Sequence, residues 1–331
     1  MRVFVAGATG YIGKRVAAEL VARGHEVVCF ARTKAGVGGA SPASETRASL
    51  PGAEVRFGDV TDKASVASDG VRGERFDAVV SCLATRTGVA RDAWQIEHLA
   101  NLHLLDAAKA AGAAHFILLS AICVQKPRLA FQHAKLAFER TLIESGLTYS
   151  IVRPTAYFKS LAGQVQAVKS GKPFLVFGDG ELTACKPISE ADLARFLADC
   201  LELPERRNAI LPIGGPGPSI TPKQQGAMLC ELSGRPVRYR RVPVRLMDAI
   251  IFALGGLGRI FPSLRDKAEF ARIGRYYGTE SMLAWDEKKG RYDAEATPSY
   301  GTDTLRDFYA RVLVEGLAGQ DLGDHAVFAR K

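Results

Sequence analysis

At 331 residues, 47% hydrophobic and 24% charged, the chain is long enough to bury a large core, as one big domain or a large one with an appendage. Its six cysteines show no CxxC or zinc spacing and its six histidines no HExxH, which excludes a disulfide scaffold, offers no metal site and reads as buried, reduced thiols of a cytosolic compartment. A formal charge of +9 favours an anionic ligand or surface; no nucleic-acid motif accompanies it, and no apolar run reaches the ~18 residues that span a bilayer.

The chain opens on Arg2-Val3-Phe4-Val5-Ala6, which reads as a strand rather than a signal peptide. Directly behind it stand Gly7-Ala8-Thr9-Gly10-Tyr11-Ile12-Gly13, and a helix continues from Lys14 to Arg23. Strand, glycine turn and helix in that order build a phosphate site at a helix N-terminus. The spacing is GxxGxxG, a variant of the dinucleotide fingerprint, with glycines for an open backbone angle, close approach of a pyrophosphate and helix packing.

Further strands are predicted at His25 to Ala31, Ala53 to Phe57, Phe76 to Ser81, His115 to Ser120 and Tyr149 to Val152. Helical spacing covers Asp92 to Ala111 and Phe131 to Glu144, while Gly36 to Ser49 reads as a mobile excursion. Right-handed crossovers between such strands give an α/β fold with a Rossmann-like, doubly wound parallel sheet. After Pro154 the alternation loosens. Gly178-Asp179-Gly180 marks a turn, Ser189 caps a helix from Glu190 to Cys200, Ala209 to Ile213 returns a strand, and Gly214 to Pro218 breaks the regular structure. The expected division is a mainly NADP-binding domain over 1–213 and a less regular C-terminal substrate-binding or lid portion over 214–331, interleaved with segment 155–190.

Arg32 ends the second strand, 19 residues after Gly13, with Lys34 close behind and no carboxylate between. An acid at this position reads the ribose hydroxyls of NAD; a guanidinium instead engages a 2′-phosphate, which favours NADPH. Asp59, beside Val60, stands where a carboxylate accepts from the adenine amino group, or else caps the helix from Lys63. Ser81-Cys82-Leu83-Ala84 ends the fourth strand in small residues over which the cofactor ribose can pass. Farther on, Val242 to Pro262 is strongly apolar and overlaps Arg235, Arg238, Arg240, Arg241 and Arg245. Peripheral contact with an anionic membrane, a lid over the substrate and a subunit interface all stay open for it.

The chain resembles the atypical, NmrA-like branch of the short-chain dehydrogenase/reductases. Within it, Leu119 to Pro127, Phe131 to Lys135, Ile151 to Ser160, Phe177 to Gly180, Cys185 to Ala194 and Lys267 to Tyr277 resemble the NADPH-dependent divinyl chlorophyllide a 8-vinyl-reductases. The likeness runs from Val3 to about Phe328. It implies NADPH-dependent reduction of the 8-vinyl group of a 3,8-divinyl chlorophyllide or protochlorophyllide pigment to ethyl, in (bacterio)chlorophyll biosynthesis. Another conjugated alkene, such as a quinone or phenylpropanoid, and a non-catalytic NADP-sensing regulator are the alternatives.

The superfamily pairs a tyrosine with a lysine four residues later. Lys135 is present, but Phe131 stands where the tyrosine belongs, which suits a C=C substrate that develops no oxyanion. Lys135 is expected to hold the nicotinamide ribose and Ser120 to order that ribose or a water, with Pro154 also at the cofactor. Tyr157 leads the candidates for proton donor, ahead of His133, Cys185 and water. Phe158, Phe177, Tyr276 and Tyr277, with Phe174 and Trp285, are expected around the pigment. The expected location is the cytoplasm, peripheral at most to a photosynthetic membrane, since the Ala- and Arg-rich composition suits a bacterium and no transit peptide precedes the first strand.

Overall fold

The computed structural model describes residues 1–33, 42–258, 261 and 263–316. They form two units: residues 1–85, 90–154 and 190–212, and residues 86–89, 155–189 and those from 213 onward. In chain order the strands are β1 (Arg2–Ala6), β2 (Glu26–Ala31), β3 (Glu54–Phe57), β4 (Ala78–Ser81), β5 (His115–Leu119), β6 (Thr148–Pro154), β7 (Phe174–Phe177), β8 (Ala209–Ile213), β9 (Tyr239–Val242), β10 (Ala284–Asp286) and β11 (Arg291–Asp293).

The first unit carries a sheet of order β3-β2-β1-β4-β5-β6-β8, in which β1 to β6 run parallel. Every residue of β4 and β5 is buried, which explains their unbroken apolar runs: helices cover both faces of such a sheet. One of these layers is knit by Phe4, Phe30, Phe76, Phe116 and Phe138. Helices Tyr11–Ala22 and Glu190–Glu202 pack together. The strand order reverses at β1, flanked by β2 and β4, and in this architecture ligands bind at the carboxyl ends beside such a reversal.

Two local expectations need correction. Residues 36–41 lie outside the described residues, but the rest of the supposed excursion holds a short helix, Ala43–Ala48, behind Pro42. The helix expected from Asp92 to Ala111 spans 90–110 and widens to π-helical turns over Trp94–Ala100, which apolar spacing alone does not reveal.

In the second unit β7 pairs in parallel with β9, and β10 pairs antiparallel with β11. Its core holds Phe158, Phe174, Val176, Leu229, Phe308 and Tyr309, with the Tyr309 hydroxyl donating to the Leu161 carbonyl at 3.0 Å. The portion expected to be less regular is largely helical. Helices Val244–Leu257 and Ser263–Thr279 pack on one another; the first forms because Gly255, Gly256 and Gly258 fall at its end rather than in its middle.

Candidate active site

At the carboxyl end of β1, Gly7 has φ +82°, and a Cβ there would lie 2.5 Å from the Cys82 carbonyl oxygen. A Cβ on Gly13 would come within 2.1 Å of the Gly7 carbonyl oxygen. Only glycine lets the turn press this closely on β4 and on the first turn of helix Tyr11–Ala22. The Gly10 N–H donates to the Gly7 carbonyl at 3.0 Å, and no side chain caps the helix. Its N-terminal dipole is thus presented to an anion, with Thr9 and the buried Ile12 on the same turn. The Tyr11 hydroxyl donates to Glu190, whose carboxylate also lies 3.8 Å from Arg15.

The ends of β2 and β3 meet in an open cleft lined by Arg32, Thr33, Gly58, Asp59 and Ser65. Asp59 is exposed and its carboxylate accepts from the Thr61 N–H at 2.8 Å. The helix at Lys63 is capped by Asp62, which accepts from the Ala64 N–H at 2.9 Å, so the capping role considered for Asp59 belongs to its neighbour. Gly58 was not singled out from sequence, yet a Cβ there would meet the Phe30 ring at 2.5 Å. Val60 is buried, and its carbonyl lies 3.1 Å from His103 Nδ1. Lys34 lies outside the described residues. Cys82 and Leu83 are buried at the end of β4, and burial pushes the Cys82 thiol up to about 12, which keeps it protonated.

Lys135, on helix Ala130–Ile143, is 8% exposed and its Nζ donates to Glu97 Oε2 at 2.7 Å. Glu97 is 2% exposed, and its other oxygen accepts from the Thr85 N–H at 2.9 Å. Sequence reasoning missed Glu97, because a lone acid on a helix reads as a solvated face. Phe131 is buried one turn before Lys135. Gln132, fully buried, accepts from the N–H groups of Arg128 at 2.7 Å and Leu129 at 2.9 Å and donates to the Cys123 carbonyl at 3.1 Å, which ties down the loop after β5. His133 is exposed.

The Ser120 expectation needs correction. Its hydroxyl is buried and donates to Glu139, which also pairs with the Arg153 guanidinium, so it serves an internal network rather than a ribose or water. Pro154, also buried, closes β6.

The remaining candidates belong to the second unit. Tyr157 is half-buried and bridges in parallel to Ile188. Phe158 and Phe174 are core residues, the Phe158 ring 5.5 Å from that of Phe308, and Tyr276 is buried. These three fill their own unit instead of lining a pigment site, since aromatic content does not say which face is inside. Phe177 packs its ring on Gly278, where a Cβ would come within 2.8 Å of it. Tyr277, 46% exposed, stands edge-on to Tyr276, and Trp285 edge-on to Tyr292. Burial also raises the Cys185 thiol to about 12.

A family model described as NAD(P)H-binding matches residues 7–204. The divinyl chlorophyllide a 8-vinyl-reductase of Zea mays is 52% identical over 98% of this chain and 82% of its own length; that of Oryza sativa subsp. indica is 53% identical over the same shares. The structure of an NADPH-dependent quinone oxidoreductase from Escherichia coli in complex with NADPH covers 94% of this chain and 99% of its own, with a TM-score of 0.63 at 20% identity, and shares the fold. Both plant relatives are chloroplastic, which overturns the cytoplasmic expectation. Reduced, buried thiols suit any reducing compartment and could never separate the two. With about half its residues shared from end to end, the chain belongs to the divinyl chlorophyllide a 8-vinyl-reductase family.

Proposed function

We propose that this protein reduces the 8-vinyl group of a 3,8-divinyl chlorophyllide or protochlorophyllide to ethyl, a step of (bacterio)chlorophyll biosynthesis, with NADPH as cofactor. The observation that carries this reading is the 52% identity, over 98% of the chain, to a reductase of that name.

The residues present fit the dinucleotide: the glycines let the turn pack tightly on β4 and on the helix behind it, and that helix has no side-chain cap. NADPH supplies the hydride. Behind the Gly10 turn, backbone N–H groups of Tyr11, Ile12 and Gly13 would hold the pyrophosphate, Arg32 the 2′-phosphate and Asp59 the adenine edge. Lys135 holds the nicotinamide ribose, and its ammonium favours negative charge nearby. Hydride added to the terminal vinyl carbon leaves carbanion character spread into the macrocycle, and a proton on the inner carbon completes the ethyl group. For that proton we assign the Tyr157 phenol, and Tyr277 for contact with the pigment.

The test is anaerobic incubation with NADPH and 3,8-divinyl chlorophyllide a, followed by pigment separation and mass analysis. A product about two mass units heavier, bearing an 8-ethyl group, is expected. Unchanged pigment beside tight NADPH binding would sink the reading. Tyr157→Phe should lower turnover by about 10²-fold, and wild-type turnover would remove Tyr157 as the donor.

An anionic lipid surface is the second partner we propose. Helix Val244–Leu257 has no buried residue, and Leu246, Ile250, Ala253 and Leu257 form one exposed stripe along it. Its lone acid, Asp248, is paired with Arg275. The exposed Arg235, Arg238, Arg240 and Arg241 stand in the segment leading into it and Arg245 in its first turn, with no acid from Leu232 to Met247. Apolar burial and phosphate attraction then act together. Among the described residues no helix is long and apolar enough to cross a membrane, so this contact is peripheral.

A further inference from the structure

We propose that Glu97 is the positioning residue for Lys135, holding the buried ammonium charged and in register so that it meets the nicotinamide ribose as a cation. This rests on the assignment of Lys135 to that ribose made above.

The geometry has three parts. The Lys135 side chain is 9% exposed and that of Glu97 2%, with 2.7 Å between Nζ and Oε2. A buried ammonium without a counter-charge gives up its proton more readily than one in water. Glu97 is itself held at two points, one on its carboxylate and one on its backbone. Its Oε1 accepts from the Thr85 N–H at 2.9 Å, and the Glu97 carbonyl accepts from Asn101 Nδ2 at 3.0 Å. Asn101 in turn accepts from Ser81 Oγ at 2.6 Å, which ties the arrangement to the end of β4.

The third part is the backbone. Glu97 sits inside the π-helical turns Trp94–Ala100, an irregularity that re-aims side chains. Within those turns Trp94 is 44% and Leu99 43% exposed while the acid is buried. Hydrophobicity alone dictates the reverse order, so the wide turn places the carboxylate inside at the expense of two apolar residues.

Other titratable groups nearby are committed elsewhere. Asp92 accepts from the Thr85 hydroxyl, Glu139 takes Ser120 and Arg153, and burial keeps the Cys82 thiol protonated. The charge paired directly with Lys135 is that of Glu97.

The test is NADPH affinity, read from cofactor fluorescence between about pH 6.5 and pH 9.5 in the full chain, which needs no pigment. In Glu97→Gln the charged lysine persists at the acid end and is lost as pH rises. Its Kd should stay close to that of wild type near pH 6.5 and rise above it by about threefold or more toward pH 9.5, as an uncompensated buried ammonium is disfavoured. Glu97→Asp, which keeps the charge, should recover part of the alkaline affinity, and Lys135→Met should abolish the pH dependence in either background. A Glu97→Gln protein whose Kd follows the wild-type pH profile overturns the proposal; so does a Lys135→Met protein that binds NADPH as wild type does. Should Glu97→Gln not fold, Glu97→Asp decides: its shortened reach should weaken alkaline binding in the same direction, and an unchanged profile overturns the idea. Failure of the reductase reading would appear separately, in the pigment assay.

Discussion

Cofactor choice is proposed to rest on Arg32. It is exposed at the mouth of the cleft that Asp59 and Ser65 also line, where an acid would repel a 2′-phosphate. Arg32→Ala should raise the Michaelis constant for NADPH by about tenfold or more, the worth of one charge-assisted bidentate contact, and leave that for NADH nearly unchanged. Equal effects in steady-state kinetics with the two cofactors would remove the assignment. Lys135 and Arg32 were singled out because each is marked by distance from a local motif. Ser120 was misread for a physical reason: a strand-end serine looks alike whether its hydroxyl faces a ligand or, as here, a buried glutamate on the next helix. Phe158 and Tyr276 failed similarly, since an aromatic ring serves a core as readily as a pigment.

Among the elements, the β5–β6 pair carries a pH sensitivity. His115 opens β5, is buried, and its Nε2 lies 2.9 Å from Ser150 Oγ on β6. Burial, aided by nearby Arg207, lowers its pKa to about 4. The unfolded chain, with an ordinary histidine near 6.5, then binds a proton that the folded chain refuses. Stability from this group is fully present above about pH 6.5 and falls as pH drops toward 4, by about 3 kcal/mol at most. Thermal unfolding should show Tm falling across this window in wild type and falling less in His115→Gln; parallel curves would refute the coupling. Helix 90–110 teaches a different lesson. Its existence followed from apolar spacing, whereas its π-helical turns, which pack on helix Ala130–Ile143, are invisible to periodicity.

At the scale of the molecule, charge and apolar surface are concentrated rather than spread. The formal charge is +9, and five exposed arginines lie before and at the start of a helix on which Phe252 is 85% exposed. The protein should float with phosphatidylglycerol vesicles and not with phosphatidylcholine vesicles, and lose most of that binding between about 0.05 and 0.5 M salt as screening shortens the reach of the arginines. Phe252→Ser combined with Leu257→Ser should weaken flotation even at low salt; full retention would remove this helix as the contact. The sequence by itself determined the parallel α/β sheet, the glycine turn at its first strand, the cation at Arg32 and a lysine without its tyrosine. Each of these is local in the chain or periodic along it. Only the tertiary structure decided that Glu97 meets Lys135 across 38 residues, that Glu139 gathers Ser120 and Arg153, and that Phe158, Phe174 and Tyr276 turn inward. Such partners are set by which element faces meet, and no spacing within a single strand or helix encodes that.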